Sequence, residues 1–249
     1  MKKITLVGGA GTIGTILTEG LGDKYEIVVL DKTEPKNTVQ FKKVDATNYQ
    51  QLLEAIPKDS DALINLLTIH IDDDLKNIDH FRQMTDIHFT SSFYILRAAI
   101  DIGIPKVVFA SSNHTTDYYE EGGISKLGRE ITIDDYPISK GLYGTLKLAS
   151  ENIAHILTHD DANNLSVINL RIGSVPKNEK QALKEKERLH HTLLSREDTI
   201  QLFDLALTST VKYGTYYGVS ENQKKPWSTE NAWRELGFVS KKNAEDLLE

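Results

Sequence analysis

The chain has 249 residues, of which 36 are acidic and 29 basic, and the net charge of −7 argues against nucleic acid or an anionic membrane as the main partner. It contains no cysteine, which excludes disulfides and thiol chemistry. It also has no apolar run long enough to cross a bilayer and no signal sequence before the first predicted strand, so we expect a cytoplasmic protein.

The first predicted strand runs directly into three regularly spaced glycines and then into a helical pattern. The spacing of Gly8, Gly11 and Gly14 is typical of the turn that binds the pyrophosphate of a dinucleotide. Gly8 permits a tight turn, Gly11 lets the backbone approach the phosphates, and Gly14 lets the helix pack closely on the strand. Free N–H groups at the start of the helix, around Thr12 and Ile13, would face the phosphates. The alternative is a buried turn without a ligand.

Acidic residues follow the next two predicted strands. Asp31 ends the second strand, where a carboxylate accepts hydrogen bonds from the adenosine ribose and repels a 2′-phosphate, so the pattern predicts NAD as the cofactor. Asp45 follows the third strand, residues 39–44, and Ala46 is expected beside the same cofactor. Two interpretations of Asp45 stay open: contact with the adenine amino group, or the N-cap of a helix at 49–56.

The next two predicted strands, residues 62–67 and 106–110, end at candidate site residues. Ligands bind outside the carboxyl ends of parallel strands, so Leu67 and residues 68–70 are expected to face the cofactor. The second strand continues into Ser-Ser-Asn-His at 111–114, whose hydrogen-bonding side chains indicate a binding site.

Two long helical patterns cover residues 80–102 and residues from Tyr143 to about 158, and a loop or lid is predicted between them. Tyr143 and Lys147 are one helical turn apart, so both project from one face. A neighbouring ammonium lowers the pKa of a tyrosine, whose phenolate can accept a proton from a substrate hydroxyl while hydride leaves for a nicotinamide. Ser112 can orient the substrate oxygen, and Lys147 can reach the nicotinamide ribose.

The remainder of the chain continues the alternation of strands and helices. Predicted elements are a strand at 166–172, a helix at 197–207 capped by Ser195, a strand at 215–219 and two short helices within 227–248. Residues 176–188 are so highly charged that we expect a mobile, solvated segment. The alternation predicts an α/β fold, a Rossmann-like doubly wound parallel sheet with a small C-terminal substrate-binding part.

The order of these motifs resembles the extended short-chain dehydrogenase/reductase superfamily, which is NAD-dependent epimerase/dehydratase-like. More specific stretches resemble uronate dehydrogenases: Ala-Ser-Ser-Asn-His-Thr at 110–115, Tyr-Tyr at 118–119, Gly-Leu-Tyr-Gly at 141–144, Leu-Arg-Ile-Gly-Ser at 170–174, Leu-Ser at 194–195, Trp227, and Gly-Phe at 237–238. The resemblance covers nearly the whole chain. It implies a single NAD-binding domain over 1–249, with substrate-binding elements mainly in 112–142 and 174–249.

The resemblance also implies an activity and a substrate site. The family oxidises the C1 hydroxyl of a cyclic hexuronic acid to an aldaric acid lactone with NAD. Ser112, Asn113 and His114 would contact sugar hydroxyls with help from Ser174, and Arg188 would bind the substrate carboxylate through a bidentate pair. Expected partners are therefore a small sugar or sugar-acid substrate and, through the two long helices, a second copy of the chain; no metal is expected.

Three places depart from the family pattern. Leu67 and Thr68 stand where the family has two small residues, His70 stands where a serine contacts the substrate, and His88 stands for an asparagine of the proton relay. His88 can carry protons or can be a packed helix residue. Two other functions stay open: an extended short-chain dehydrogenase or epimerase acting on another sugar or a sugar phosphate, and a non-catalytic regulator that senses a dinucleotide.

Overall fold

The computed structural model of the protein describes residues 1–37, 39–69, 71 and 75–248. Within them the strands are β1 (Lys2–Val7), β2 (Tyr25–Asp31), β3 (Gln40–Lys43), β4 (Ala62–Asn65), β5 (Lys106–Ser112), β6 (Glu120–Glu121), β7 (Ile124–Ser125), β8 (Ser166–Ile172) and β9 (Tyr213–Gly218). All but β6 and β7 form one sheet of seven parallel strands, in the order β3-β2-β1-β4-β5-β8-β9. Strands β6 and β7 form a separate antiparallel hairpin.

The strand order reverses between β1 and β4, because the chain first builds outward through β2 and β3 and then returns to the other side of β1. In an open parallel sheet such a reversal leaves a crevice outside the carboxyl ends of the strands, where ligands bind. The predicted doubly wound Rossmann-like fold is therefore confirmed.

Helices connect the strands and cover both faces of the sheet. The α-helices are α1 (Thr12–Leu21), α2 (Tyr49–Ala55), α3 (Ile78–Thr85), α4 (Ser91–Ile102), α5 (Leu142–His159), α6 (Glu179–Glu185), α7 (Leu189–Thr192), α8 (Arg196–Thr208) and α9 (Glu230–Leu236). A π-helical turn, Asp86–Thr90, joins α3 to α4, and a 3₁₀-helix, Asn113–Tyr119, follows β5. In the part of the chain that the structure describes, no helix is long and apolar enough to span a bilayer.

The strands are apolar on both faces because each face packs against a helical layer. One apolar cluster joins Ile4 and Ile64 to α1, α8 and α9, and the other joins Val7 and Leu63 to α2, α4 and α5. Burial of both strand faces fixes the register of the sheet, since a slip of one residue would exchange the two faces. The sheet therefore holds its carboxyl edge rigidly.

Three parts of the chain differ from the prediction. The predicted helix at 80–102 is interrupted by the π-helical turn. The charged segment at 176–188, expected to be solvated, forms α6, whose Leu183 is buried against Leu189 and Leu193. Among the described residues of the C-terminal part, α9 is the one helix where two were expected. The predicted cap of α8 is confirmed, since the Ser195 side chain accepts a hydrogen bond from the Asp198 N–H.

Candidate functional site

A cavity of about 1060 Å³ lies along the carboxyl ends of β1, β2, β4, β5 and β8. It occupies the crevice that the reversal in strand order creates. Most of the predicted site residues line it: Gly8, Gly11, Thr12, Ile13, Gly14, Asp31, Ala46, Leu67, Ser112, Asn113, His114, Tyr143, Lys147 and Ser174. Asp45 and Arg188 lie outside its lining, and His70 lies outside the described residues.

The glycine turn between β1 and α1 forms one end of the cavity. Gly8 has φ +82°, a conformation that favours glycine, and a Cβ at Gly14 would come within 2.0 Å of the Gly9 carbonyl oxygen. At Gly11, in contrast, a Cβ would meet no protein atom nearer than 3.9 Å. The N-terminus of α1 has no side-chain cap, and its first residues, Thr12 and Ile13, line the cavity, so its N–H groups are available to a bound anion. This open cradle fits the pyrophosphate of NAD.

Asp31 lies at the end of β2 and fixes the same turn. Its carboxylate accepts hydrogen bonds from the backbone N–H groups of Ala10, at 3.0 Å, and Thr33, at 2.9 Å. A carboxylate at this wall of the cavity is suited to the ribose hydroxyls of an adenosine.

Asp45 does not cap the following helix, so that interpretation is wrong. The cap of α2 is Asn48, whose side chain accepts from the Gln51 N–H. Asp45 instead accepts from the Thr47 N–H at 2.9 Å and pairs with the Lys32 ammonium at 3.1 Å. Its contact with adenine stays a prediction.

Helix α5 brings Tyr143 and Lys147 to the cavity, opposite Ser112 at the end of β5. The Lys147 ammonium donates to the carbonyl oxygens of Ala110, at 2.9 Å, and Leu67, at 3.2 Å. It lies 5.8 Å from the centre of the Tyr143 ring. The two carbonyls therefore fix the lysine between the ends of β4 and β5, beside the tyrosine.

Burial controls the protonation of this pair. It raises the pKa of Tyr143, although side-chain hydrogen bonds with Ser112 and Thr68 oppose the rise. It lowers the pKa of Lys147 to about 7, against the attraction of the Glu151 carboxylate. The sequence predicted that the lysine lowers the tyrosine pKa. For the protein without cofactor or substrate this prediction is wrong, because burial disfavours the charged form of both side chains.

Two contacts beside the pair were not predicted from the sequence. Thr68 lines the cavity, as expected, but its hydrogen bond with the Tyr143 side chain was not expected. Glu151 forms a buried bidentate ion pair with Arg171, with Nη2 to Oε2 at 2.7 Å and Nε to Oε1 at 3.0 Å. The available signal was spacing, since Glu151 is one turn beyond Lys147 on the same face of α5.

Polar side chains from the 3₁₀-helix and from the end of β8 line the other end of the cavity. Ser112 accepts from the His114 N–H at 3.1 Å, and the His114 ring nitrogen Nδ1 lies 2.9 Å from the Asp117 carboxylate. The Ser174 hydroxyl lies 3.1 Å from the Thr192 hydroxyl. Hydrogen-bond donors and acceptors of this kind suit sugar hydroxyls.

His88 is fully buried in the π-helical turn, with its ring centre 4.9 Å from that of Tyr143 in an edge-to-face arrangement. It thus packs against the candidate catalytic tyrosine, and its role as a proton carrier stays a prediction. Arg188 lies behind Ser174, with Nη1 3.4 Å from the Ser174 hydroxyl and Nη2 2.8 Å from the Glu120 carboxylate. The predicted role of Arg188 toward a substrate carboxylate stays a proposal.

Comparison with known proteins gives full-length relatives. Uncharacterized protein YtbQ of Bacillus subtilis is 51% identical over 248 residues, which cover 100% of this chain and 97% of that protein. The NAD-dependent glucose-6-phosphate dehydrogenase of Haloferax volcanii is 28% identical, covering 99% and 95% of the two chains. The uronate dehydrogenase of Pseudomonas putida is 26% identical, covering 98% and 85%.

The fold has a close counterpart among solved structures. The glucuronic acid dehydrogenase of Chromohalobacter salexigens superposes with a TM-score of 0.83 at 24% identity, over 98% of this chain and 86% of that one. The model of the NAD-dependent epimerase/dehydratase family matches residues 4–240. The resemblance inferred from the motifs and the expected cofactor, NAD, are both confirmed. The chain belongs to the NAD-dependent epimerase/dehydratase family and is an NAD-dependent oxidoreductase acting on a CH–OH group.

Proposed function

We propose that the enzyme oxidises the C1 hydroxyl of a cyclic sugar acid, converting a hexuronic acid to its aldarolactone with reduction of NAD. The proposal rests on one observation: Ser112, Tyr143 and Lys147 line the same cavity as the glycine turn. Full-length similarity to a uronate dehydrogenase supports the choice of substrate. The cavity residues from 112–142 and 174–249 then form the sugar-binding part of a single domain.

In this proposal each side chain has a defined task. The glycine turn and Asp31 hold NAD, which supplies the hydride acceptor when bound. Ser112 donates a hydrogen bond to the C1 oxygen, and the Tyr143 phenolate accepts the proton of the C1 hydroxyl. As the C1–H bond breaks and its electron pair leaves as hydride, the C1–O double bond of the lactone forms. Hydrogen bonds from Ser112 and Thr68 and the ammonium form of Lys147 favour the phenolate against the burial that raises the Tyr143 pKa. Lys147 also binds the nicotinamide ribose.

A sugar phosphate is the second candidate substrate. The full-length relative from Haloferax volcanii is named for glucose-6-phosphate, which favours this class. Lysines of the segment around α6, at positions 177, 180, 184 and 186, offer positive charge for a phosphate. A non-catalytic, dinucleotide-sensing regulator is disfavoured, because Tyr143 and Lys147 both line the cavity.

The proposal also covers where the enzyme acts in the cell and how its copies assemble. We propose that the enzyme acts in the cytoplasm on a small sugar acid, without nucleic acid or membrane as a partner. We also propose that two copies pair through α4 and α5, the helices that this superfamily often uses for dimers.

The proposed function is tested by following NADH absorbance with uronic acids, neutral aldoses and sugar phosphates. We expect NADH from at least one uronic acid, and Tyr143→Phe should lower its turnover by about 10²–10⁴-fold, because the proton acceptor is lost. Tyr136→Phe is the matched control, since Tyr136 is 77% exposed and should have normal turnover. Turnover with sugar phosphates but not with uronic acids would support the second candidate instead. Normal turnover of Tyr143→Phe would contradict the mechanism.

A further inference from the structure

Every nitrogen of the Arg188 guanidinium already has a partner within the protein. Its Nε and Nη2 donate to the two carboxylate oxygens of Glu120, the closest contact being 2.8 Å. Its Nη1 lies 3.4 Å from the hydroxyls of Ser174 and Thr192. One guanidinium edge is therefore filled by a carboxylate from the chain itself, in the paired geometry that a substrate carboxylate would use.

Glu120 is firmly held in this position. Its side chain is 5% exposed, against 30% for that of Arg188. Its Oε1 also accepts from the Gly123 N–H, and its backbone oxygen accepts from the Lys140 ammonium at 2.6 Å. Burial would raise the pKa of Glu120, but the hydrogen bonds and charge of Arg188 outweigh it and the pKa is lowered. The carboxylate is thus ionised at neutral pH and neutralises the arginine.

This ion pair lies one side chain away from the cavity. Ser174 lines the cavity, and its hydroxyl separates the cavity from Arg188 Nη1. The guanidinium carbon lies over the ring of the buried Trp227, 6.0 Å from the ring centre. Among the described residues, the lysines that line the cavity are Lys32 and Lys147, and no arginine does. Arg188 therefore contacts the polar end of the cavity through Ser174, a residue of its lining.

We infer that Glu120 is a specificity-determining residue, which holds the guanidinium of Arg188 and so limits the preference for a sugar acid over the matching neutral sugar. The inference rests on the proposed function, because it concerns the sugar end of that same site. A substrate carboxylate can take the Nε–Nη2 edge of Arg188 only by displacing Glu120, which would then be buried without its partner. At the Nη1 side it would meet a guanidinium whose charge Glu120 already offsets. The net gain from a substrate carboxylate is therefore small while Glu120 is present.

The test compares kcat/KM for D-glucuronate with that for D-glucose, and D-galacturonate with D-galactose. Glu120→Gln removes the charge but keeps an oxygen for the Gly123 N–H, so Arg188 becomes available to the substrate. We expect the acid-to-neutral ratio to rise by about 10-fold, the size of one charged hydrogen bond. Glu121→Gln is the matched control, since it removes the same charge from the exposed neighbouring residue and should leave the ratio unchanged.

A second variant keeps the inference testable if Glu120→Gln does not fold. Arg188→Lys in the otherwise unchanged chain should alter the ratio by less than about threefold, because Glu120 already occupies the Nε–Nη2 fork and offsets the charge. In the Glu120→Gln background, Arg188→Lys should abolish the gain. An unchanged ratio in an active Glu120→Gln enzyme would overturn the inference but not the proposed function. A 10-fold fall of the ratio in the single variant Arg188→Lys would do the same. No NADH from any sugar in any variant would overturn the proposed function, and the inference with it.

Discussion

Lys147 is the residue whose chemistry differs most from that of the free amino acid. Burial lowers its pKa to about 7, while the Glu151 carboxylate opposes the shift. Its partners in the protein include two backbone carbonyl oxygens, which accept from an ammonium as well as from an amine. The unfolded chain therefore binds a proton at Lys147 up to a pH near 10.5, whereas the folded chain releases it near pH 7.

This difference predicts a pH dependence of stability. Between pH 7 and about 10.5 the unfolded state holds more protons at this site, so the free energy of unfolding should rise with pH, by at most about 1.4 kcal/mol per pH unit. Lys147→Met should lose this contribution. Urea unfolding of both proteins at pH 7.5 and 9 measures it, because all other groups titrate in both. An identical pH dependence in the two proteins would show that Lys147 keeps an ordinary pKa.

For individual residues, the sequence predicted correctly which functional groups lie together when they share one helix or follow one strand. Tyr143 and Lys147 share a face of α5, and Ser112 ends β5, so motif spacing was enough to bring them together. Glu120 and Arg188 are 68 residues apart and come from the β6–β7 hairpin and the start of α7. No periodicity links such positions, so their pairing could be known only from the folded chain.

At the scale of elements, the turn from β1 to α1 uses its glycines for different reasons. Gly14 is required by packing, because its Cβ would overlap the Gly9 carbonyl. Gly11 has φ −79°, which any residue can adopt, and space in front of it. Its lack of a side chain matters only to a group that approaches from the cavity.

The two glycines should therefore respond differently to the same substitution. Gly14→Ala should lower the free energy of unfolding by about 1–3 kcal/mol or more, because the helix must move away from the strand. Gly11→Ala should leave stability within about 0.5 kcal/mol but weaken NAD binding by about 10-fold or more, since a methyl group would occupy the phosphate position. Urea unfolding and calorimetric titration with NAD measure the two effects. Normal NAD binding by Gly11→Ala would contradict the assignment of the pyrophosphate site.

Helix α6 was not predicted, because charged residues surround its short apolar face. The segment around α6 has a charged sequence, and Leu183 alone within α6 is fully buried. Its partners, Leu189, Leu193 and Ala244, come from α7 and from positions further along the chain. Because tertiary contacts rather than amphipathic periodicity stabilise this helix, the sequence indicated solvation instead.

For the whole molecule, the alternation of strands and helices was sufficient to predict the parallel sheet and its ligand-binding edge. The sheet gathers strand ends from residues 7 to 173 into one cavity, so residues far apart in sequence act together. The pairing of charged residues beside the sugar-binding end of the cavity could not be predicted, because it depends on how the β6–β7 hairpin packs against α7. The sequence thus indicated the reaction more firmly than the substrate.

Isotope transfer shows whether the enzyme oxidises a sugar acid at C1. The enzyme is incubated with NAD and D-glucuronate carrying deuterium at C1, and the NADH formed is analysed by mass spectrometry. We expect NADH that carries the deuterium and a slower rate than with unlabelled glucuronate. NADH without deuterium, or labelled glucuronate that is not consumed while another compound reduces NAD, would contradict it.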